Sequence, residues 1–385
     1  MKFITKRMHI ISVGFAMFSM FFGAGNVVFP LLLGKETAGH SPAALLGLVL
    51  TAVLVPFLGL FSVVLFEGDY RRYFSRLGRV PGFLIVLLIM GLIGPFGAVP
   101  RCVTLSYSTI QMFFPSVQLI PFCLVSMLVL FLFAYSKTKI TDLIGCVLTP
   151  FLLLSLAIIT IRGILDHPSS IEVIGLTAPH AFFKGVLSGY NTMDLLGAFF
   201  FCSVIIESLK SMSHRSLHSL YTNAKNASLL GAFLLGLVYI GLSLVASFHS
   251  SYLIGIPSDK VLGIATLKIL GPWAGIVTCA AMALACLTTA IALVAVFADY
   301  IHYDIFRDKI NYIYSLVITL IVTFFVSTLE FQGIVNFLIP IMEVLYPSLI
   351  VLVLCNILHE LWGFRLVKLP VAITFVVSLF LTFIV

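Results

Sequence analysis

Small and polar residues interrupt the first long apolar segment of the chain. These residues are Gly23, Ala24, Gly25 and Asn26, within the stretch FFGAGNVVFP at 21–30. A glycine in a helix interior costs about 1 kcal/mol relative to alanine, and an asparagine in hydrocarbon needs a polar partner. A membrane helix interrupted in this way must line a cavity or bind something with its freed amides and carbonyls. The pattern therefore predicts a broken, ligand-binding helix, and a close-packing face of small residues is the alternative.

Three charged side chains also fall inside apolar segments, where a charge costs at least about 2.5 kcal/mol when it is unpaired. They are Arg101, in VPRC, Asp194 and Glu343. Each acid is a candidate partner for Arg101 or a candidate carrier of protons. A purely structural ion pair is the alternative interpretation.

The elements that position these residues are membrane helices. The chain is 61% hydrophobic and 10% charged, with a mean hydropathy of +1.17, whereas soluble domains are about 45–50% apolar and about 25% charged. Its apolar segments reach the ~20 residues that cross a bilayer as a helix, and they lack the alternation of a β-barrel. We therefore expect an all-α polytopic membrane protein in one transmembrane domain, without a cleaved signal peptide. Eleven spans are predicted at about 9–33, 42–66, 82–113, 117–135, 140–163, 190–208, 226–248, 271–297, 311–328, 333–357 and 368–385.

The basic residues predict the orientation of these spans. Sixteen of the 22 Lys and Arg residues fall in loops on the side of the N-terminus, which the positive-inside rule assigns to the cytoplasm. This topology accounts for the net charge of +7, so we expect no nucleic-acid partner, and the C-terminus is expected outside. The seven cysteines are scattered singly, so neither a disulfide framework nor a cysteine metal site is expected.

The sixth span contains a second set of helix-interrupting residues, in SGYNTMDLLGAFFFCSVIIESL at 188–209. Two broken helices five spans apart are typical of transporters built from inverted repeats. We therefore predict repeat one at about 9–163, repeat two at about 190–357, and an extra helix at about 368–385. Half-helix N-termini attract anions, and half-helix C-termini attract cations. Such a site suits a zwitterion together with a small cation.

Four segments carry a resemblance to a known family. They are GFAMFSMFFGAGNVVFP (14–30), GPFGAVPRCVTLSYS (94–108), GYNTMDLLGAFFF (189–201) and ACLTTAIAL (285–293). In these residues the chain resembles the bacterial branched-chain amino acid:cation symporters. The resemblance implies the leucine-transporter-type fold of the APC superfamily, in the bacterial cytoplasmic membrane, and import of leucine, isoleucine and valine. It departs at the C-terminal end, because family members usually carry twelve spans.

The resemblance also implies a sodium site between the first and eighth spans. The residues at the matching positions are Ser19 and Phe22, through their carbonyls, and Thr288 and Thr289, through their hydroxyls. Oxygen ligands of this kind suit a hard cation. The alternative for the threonine pair is hydrogen bonding back to its own helix. Sodium is the expected coupling ion, and no other cofactor is expected.

For the substrate, the amides of Gly23, Ala24 and Gly25 are candidates to bind the carboxylate. Asn26 would brace the break or help to hold a cation. By resemblance to the fold, the hydroxyl of Tyr107 is a further carboxylate donor. The substrate ammonium is expected at carbonyls of the sixth-span break, placed between Gly197 and Ser203. The apolar pocket candidates are Phe199, Phe200 and Phe201.

Other classes of function are less consistent with the sequence. It contains no recognisable catalytic constellation such as HExxH, and no repeated pore filter, so neither an enzyme nor a channel is expected. The closest alternative is a permease of the same fold for another amino acid or a nucleobase. It would be driven by protons if Asp194 or Glu343 titrates near neutral pH. The expected partners are the small-molecule substrate and the lipid bilayer, with no obligate protein partner.

Overall fold

The fold is all-helical. The computed structural model describes residues 2–136, 140–166, 176–210 and 217–384, and within these ranges it contains helices and no strands. Side chains are described for 11–135, 150–166, 176–202 and 222–383. The helices fall at the positions of the eleven predicted spans, so the predicted fold class is confirmed.

The first five spans and their connections contain nine α-helices. The first span consists of α1 (Lys2–Phe21) and α2 (Ala24–Glu36), and the second of α3 (Ser41–Val49), a π-helical turn (Leu50–Leu54) and α4 (Val55–Leu65). After the short α5 (Tyr70–Ser75), the third span consists of α6 (Arg79–Ile93) and α7 (Ala98–Gln111). The fourth and fifth spans are α8 (Leu119–Ser136) and α9 (Ile140–Leu165).

The remaining spans run from α10 to α17. The sixth consists of α10 (Ala178–Thr192) and α11 (Asp194–Lys210), and the seventh is α12 (Leu217–Phe248). The short α13 (Ser250–Leu253) precedes the eighth span, α14 (Val261–Tyr300), which ends in a π-helical turn (Ile301–Ile305). The last three are α15 (Tyr312–Ser327), α16 (Glu330–Trp362) and α17 (Lys368–Ile384).

The lengths and surfaces of these helices suit a bilayer. Within the described residues, five helical segments are long and apolar enough to cross a membrane, and the bent pair α1 and α2 makes a sixth. The shorter apolar helices include parts of α8, α9, α15 and α17. On α8, Leu124, Leu128 and Leu132 are each more than half exposed. An apolar stripe of this kind is stable only where lipid covers it.

Inter-helix packing reflects the two inverted repeats. The first span packs on the seventh, through α1 and α2 against α12, and the sixth packs on the second, through α10 against α3 and α11 against α4. The sixth span is the counterpart of the first, and the second is the counterpart of the seventh. The two contacts are therefore equivalent under the inverted-repeat symmetry. The third and eighth spans, which are counterparts of one another, pack together through α7 and α14.

The third and eighth spans are also interrupted, although both were predicted as continuous helices. In the third span, Gly94 to Gly97 separate α6 from α7. In the eighth, Gly271 adopts a left-handed φ of 79° immediately before Pro272, a conformation that glycine tolerates without strain. The eighth span therefore starts at Val261, earlier than the predicted residue 271.

The start of the sixth span also differs from the prediction. It begins at Ala178 and not at about residue 190. Its first half, APHAFFKGVLSGYNT, contains a proline, a histidine and a lysine, which lower its hydropathy below that of the other spans. Pro179 lies in the first turn of α10, a position where a helix accepts proline.

Glycines allow the backbones of the central helices to touch. A Cβ placed on Gly185 of α10 would lie 2.0 Å from the carbonyl oxygen of Ala44 on α3, and one on Gly47 of α3 would lie 2.2 Å from the oxygen of Phe182. On the first span, a Cβ on Gly34 would lie 2.0 Å from the oxygen of Ser243 on α12. Small residues at such crossings let membrane helices associate closely.

We predict that Gly185→Ala destabilises the protein by about 1–3 kcal/mol, because the added methyl group forces α10 away from α3. The measurement is the thermal unfolding midpoint of the purified protein in detergent. Gly236→Ala on α12 is the matched control, since a Cβ there meets nothing closer than 3.8 Å, and helix propensity alone would leave it neutral or slightly stabilised. Equal midpoints for the two variants would contradict close backbone packing.

Candidate functional site

A small central cavity lies between the breaks of the first and sixth spans. Its volume is about 50 Å³, and the elements around it are the ends of α1, α2, α10 and α11, with α6, α7 and α14 on the remaining sides. Lining residues from the predicted set are Gly23, Ala24, Gly25, Asn26, Arg101, Asp194, Gly197, Phe201 and Thr289. Residues from four separate regions of the sequence therefore meet at one place.

The break in the first span lies at Phe22 and Gly23, as the glycine pattern predicts. Helices α1 and α2 meet there at an angle of 71°. Gly23 is extended, and its amide donates a hydrogen bond to Oδ1 of Asn26 at 3.0 Å. Other amides of the first turn of α2 have no partner within the helix, and that of Ala24 faces only the sulfur of Cys102, a weak acceptor. This end of α2 is therefore suited to an anion.

The break in the sixth span lies at Met193, four residues before the predicted range of Gly197 to Ser203. Met193 has left-handed dihedral angles of φ 66° and ψ 15°, and it separates α10 from α11. Gly197 lies inside α11, where a Cβ would meet the ring of Phe201, so that glycine serves packing and not the break. The side chain of Ser203 lies outside the described residues.

Capping residues mark this break more clearly than glycines do. Asn191 and Thr192 end α10, and Asp194 begins α11. Asn, Thr and Asp favour helix ends, because their side chains bond to backbone groups there. The Thr192 hydroxyl donates to the carbonyl of Gly189 at 2.8 Å. In the sequence, these residue types indicate the position of the sixth-span break better than glycine does.

The two breaks are in direct contact. A Cβ on Gly25 would lie 3.2 Å from the carbonyl oxygen of Thr192 and 3.4 Å from that of Asn191. A Cβ here would be tightly packed, so glycine lets the N-terminus of α2 approach the C-terminus of α10 without displacing its backbone. The partly positive end of one half-helix therefore meets the partly negative end of another.

Buried side chains connect the breaks to the seventh span. Nδ2 of Asn26 donates to Oδ1 of Asp194 at 2.7 Å and also to the hydroxyl of Tyr239 on α12. That hydroxyl donates to Oδ2 of Asp194 at 2.5 Å. Asn26 therefore braces the break, and both oxygens of Asp194 already accept hydrogen bonds. We call Asn26, Asp194 and Tyr239 the polar brace.

Arg101 is buried at the cavity but forms no ion pair with the acids suggested by the sequence. Its Nη1 donates to the carbonyl oxygen of Asn191 at 2.7 Å, and its guanidinium lies 5.2 Å from the centre of the Phe29 ring. Within the described side chains, no carboxylate oxygen is placed within 4 Å of it. Asp194 accepts hydrogen bonds from Asn26 and Tyr239 instead. Glu343 lies half-buried on α16 and is not among the residues that line the cavity.

The proposed cation ligands are partly brought together. The Thr289 hydroxyl on α14 donates to the carbonyl oxygen of Phe22 at 3.2 Å, which joins the eighth span to the first break. The Thr288 hydroxyl donates to the carbonyl of Ala285 at 2.9 Å, within its own helix. Ser19 lies on α1 one turn before Phe22. Carbonyl and hydroxyl oxygens of this kind suit a hard cation.

Two of the predicted substrate ligands lie elsewhere. The Tyr107 hydroxyl faces the loop after α7, where it donates to the carbonyl of Val117 at 3.3 Å and accepts from Gln111 at 2.7 Å. The ring of Phe200 packs edge-on against Tyr70 at 5.1 Å. Tyr107 lies about 1.7 turns of helix beyond Arg101, which places it past the end of the cavity.

Several lining residues were not predicted from the sequence. Apolar side chains around the cavity are Met20, Phe21, Ile93, Met193 and Leu293, and Ala98, Cys102 and Thr192 complete the lining. Tyr239 was also missed, since a single hydroxyl in an apolar span gives no indication of its partner. Phe21 and Phe201 meet edge to face at 5.5 Å and form an apolar wall.

Comparison with known proteins identifies a family. The profile of a family described as branched-chain amino acid transport protein matches residues 6–384. Two Staphylococcus aureus proteins, from strains bovine RF122 / ET3-1 and USA300, are named as branched-chain amino acid carrier proteins. Each is 26% identical over 388 residues, which covers 96% of this chain and 86% of the relative.

Solved structures agree on the fold. The inward-facing conformation of Mhp1 superposes with a TM-score of 0.67 at 11% identity, covering 97% of this chain and 89% of that one. Mhp1 in a closed conformation with bromovinylhydantoin, described as a nucleobase-cation-symport-1 family transporter, gives 0.63 at 12% identity, with 97% and 91% coverage. A manganese transporter of Eremococcus coleocola gives 0.55 at 13% identity, with 97% and 85% coverage.

We predict that Tyr239→Phe destabilises the protein by about 1–3 kcal/mol, because the buried Asp194 then loses one of its two hydrogen-bond donors. The thermal unfolding midpoint in detergent measures this effect. Tyr314→Phe is the control, since Tyr314 on α15 is 66% exposed and its change is expected to stay within about 0.5 kcal/mol. If the unfolding midpoint of Tyr239→Phe equals that of Tyr314→Phe, the polar brace does not hold the breaks together.

Proposed function

Because this chain belongs to the family of branched-chain amino acid transport proteins, we propose that it is a secondary active symporter that imports leucine, isoleucine and valine with sodium ions. The proposal places it in the bacterial cytoplasmic membrane with the N-terminus inside. One observation carries it: the breaks of the first and sixth spans meet around a single cavity that has polar groups of both signs.

The cavity is chemically suited to an amino-acid zwitterion. The first turn of α2 offers amides to a carboxylate, and the C-terminus of α10 offers the carbonyl of Thr192 to an ammonium. Half-helix ends carry partial charges of matching sign. A branched aliphatic side chain would contact Phe21, Phe201 and the other apolar lining residues.

The first break also offers a structural basis for coupling. Ala24, Gly25 and Asn26 of its first helical turn line the cavity, while its Phe22 carbonyl contacts Thr289 of the eighth span. A cation bound by the Phe22 carbonyl would therefore fix the conformation that presents the amides to the substrate. Two ligands that favour one conformation increase each other's affinity by the same factor.

Alternating access is supported by the size of the cavity and the contacts at both ends of the bundle. A volume of about 50 Å³ is far below the ~300 Å³ of a small ligand pocket, so binding requires opening. On one side Lys184 pairs with Glu36 at 3.1 Å, and on the other Arg71 pairs with Asp304 at 2.7 Å. Surface ion pairs are worth at most about 1 kcal/mol each, so these two pairs add little to the energetic cost of opening.

Uptake of labelled leucine into proteoliposomes tests the function. We expect accumulation under an inward sodium gradient, competition by unlabelled isoleucine and valine, and no accumulation in liposomes without the protein. Uptake driven only by a proton gradient would contradict sodium coupling and would make Asp194 or Glu343 the candidate proton carrier. Absence of leucine uptake under any gradient would contradict the substrate, leaving another amino acid or a nucleobase to be tested.

We predict that the double variant Thr288→Ala with Thr289→Ala raises the half-saturating sodium concentration for leucine uptake by about tenfold or more, which corresponds to about 1.4 kcal/mol of lost binding free energy. Removal of both hydroxyls takes away two cation ligands. Thr278→Ala is the matched control on the same helix, since its hydroxyl bonds to the carbonyl of Ala274 at 3.0 Å. Unchanged sodium dependence in the double variant would rule out this cation site.

A further inference from the structure

Arg101 is a buried cation with an unused hydrogen-bonding edge. The side chain is 1% exposed, and its Nη1 is occupied by the carbonyl of Asn191. Its Nε and Nη2 have no hydrogen-bond partner within the described part of the chain. These two nitrogens lie side by side on one edge of the planar guanidinium, and a pair of this kind matches the two oxygens of a carboxylate.

Neighbouring helix ends add to the positive charge around Arg101. Arg101 is the fourth residue of α7, so it lies at the partly positive end of that helix, where a cation is disfavoured. The N-terminus of α2 borders the same cavity. A buried, partly unbonded guanidinium between two helix N-termini carries a substantial desolvation penalty, which an anion in the cavity would relieve.

Among the described side chains, none supplies that anion. Asp194 lines the same cavity, but its Oδ1 and Oδ2 accept hydrogen bonds from Asn26 and Tyr239. Asn26 and Tyr239 therefore hold this carboxylate apart from Arg101. An amino-acid zwitterion brings one negative and one positive group, so it can bind between Arg101 and Asp194 without adding net charge.

We propose that Arg101 binds the substrate carboxylate through Nε and Nη2, with the ammonium held near Asp194 and the carbonyl of Thr192. This assignment rests on the proposed function and names the residue that selects amino acids over other small solutes. The amides of α2 then act as secondary donors. The Asn191 carbonyl orients the guanidinium by accepting from Nη1.

The test compares L-leucine with L-leucinamide, which keeps the ammonium and the side chain but lacks the negative charge. Binding to the full-length protein in detergent with sodium is measured by calorimetry. We expect the wild-type protein to bind leucine about 10- to 100-fold more tightly than leucinamide, as for other hydrogen bonds to charged groups. A wild-type ratio close to one would overturn the proposal without any variant.

In Arg101→Gln this ratio is expected to fall by about tenfold or more. Arg101→Lys, which keeps the charge but loses the two-pronged edge, is expected to give an intermediate ratio and provides a second readout if the glutamine variant unfolds. A purely structural role would weaken both ligands equally and leave the ratio unchanged. Arg76→Gln is the matched control, since Arg76 bonds to Asn356 at 2.7 Å outside the cavity.

The outcomes separate the two proposals. A wild-type ratio that persists in both Arg101 variants would overturn the role of Arg101 and leave leucine transport intact. No leucine binding by the wild-type protein would overturn both. If leucine binding required chloride, and Arg101→Gln removed that requirement but not the preference for leucine, the anion would be chloride and the carboxylate assignment would be wrong.

Discussion

The contact between the two helix breaks is the interaction on which the rest of the structure depends. Within hydrocarbon, every backbone amide and carbonyl released by a break must find a partner. Here Asn26 bonds to the Gly23 amide and to Asp194, so that one side chain satisfies groups of both broken helices. Tyr239 completes the arrangement from the seventh span. The breaks are therefore stable as a pair, and the space left between them is the central cavity.

This arrangement explains why the cavity holds opposite charges that remain apart. Arg101 and Asp194 would neutralise one another if they touched, and the cavity would then have little attraction for a zwitterion. Asn26 and Tyr239 hold Asp194 through hydrogen bonds, while the carbonyl of Asn191 at the end of α10 holds Arg101. In a medium of low dielectric constant, two separated and oriented charges interact strongly with a ligand that bridges them.

Much of this architecture could be predicted from the sequence. Hydropathy located the eleven spans because a bilayer demands about 20 apolar residues for each, and the glycines around Ala24 located the first break. The contact of Thr289 with Phe22 could be anticipated only through the resemblance to a known family. The sixth break was predicted at the wrong place because Met193, which is not a glycine, adopts a left-handed conformation. Tertiary contacts hold this conformation, and local sequence preference does not.

Other features depend on distances that sequence does not encode. The pairing of Asp194 with Tyr239 rather than with Arg101 follows from how α11 packs against α12. Tyr107 lies beyond the cavity because the third span is interrupted at Gly94 to Gly97, and this break sets where α7 begins. A helix period alone predicts which side of α7 a residue occupies, but not how far along the cavity that residue lies.

The glycine crossings also determine which parts can move together. Where Gly185 meets Ala44 and Gly34 meets Ser243, main chain lies against main chain with no layer of side chains between them. Flexible side chains let packed helices slide by changing rotamers, whereas bare backbones can only separate or stay joined. Spans one and seven, and spans six and two, are thus fastened in pairs, and the polar brace links the pairs. These four spans therefore form one closely joined block, with the cavity along its edge.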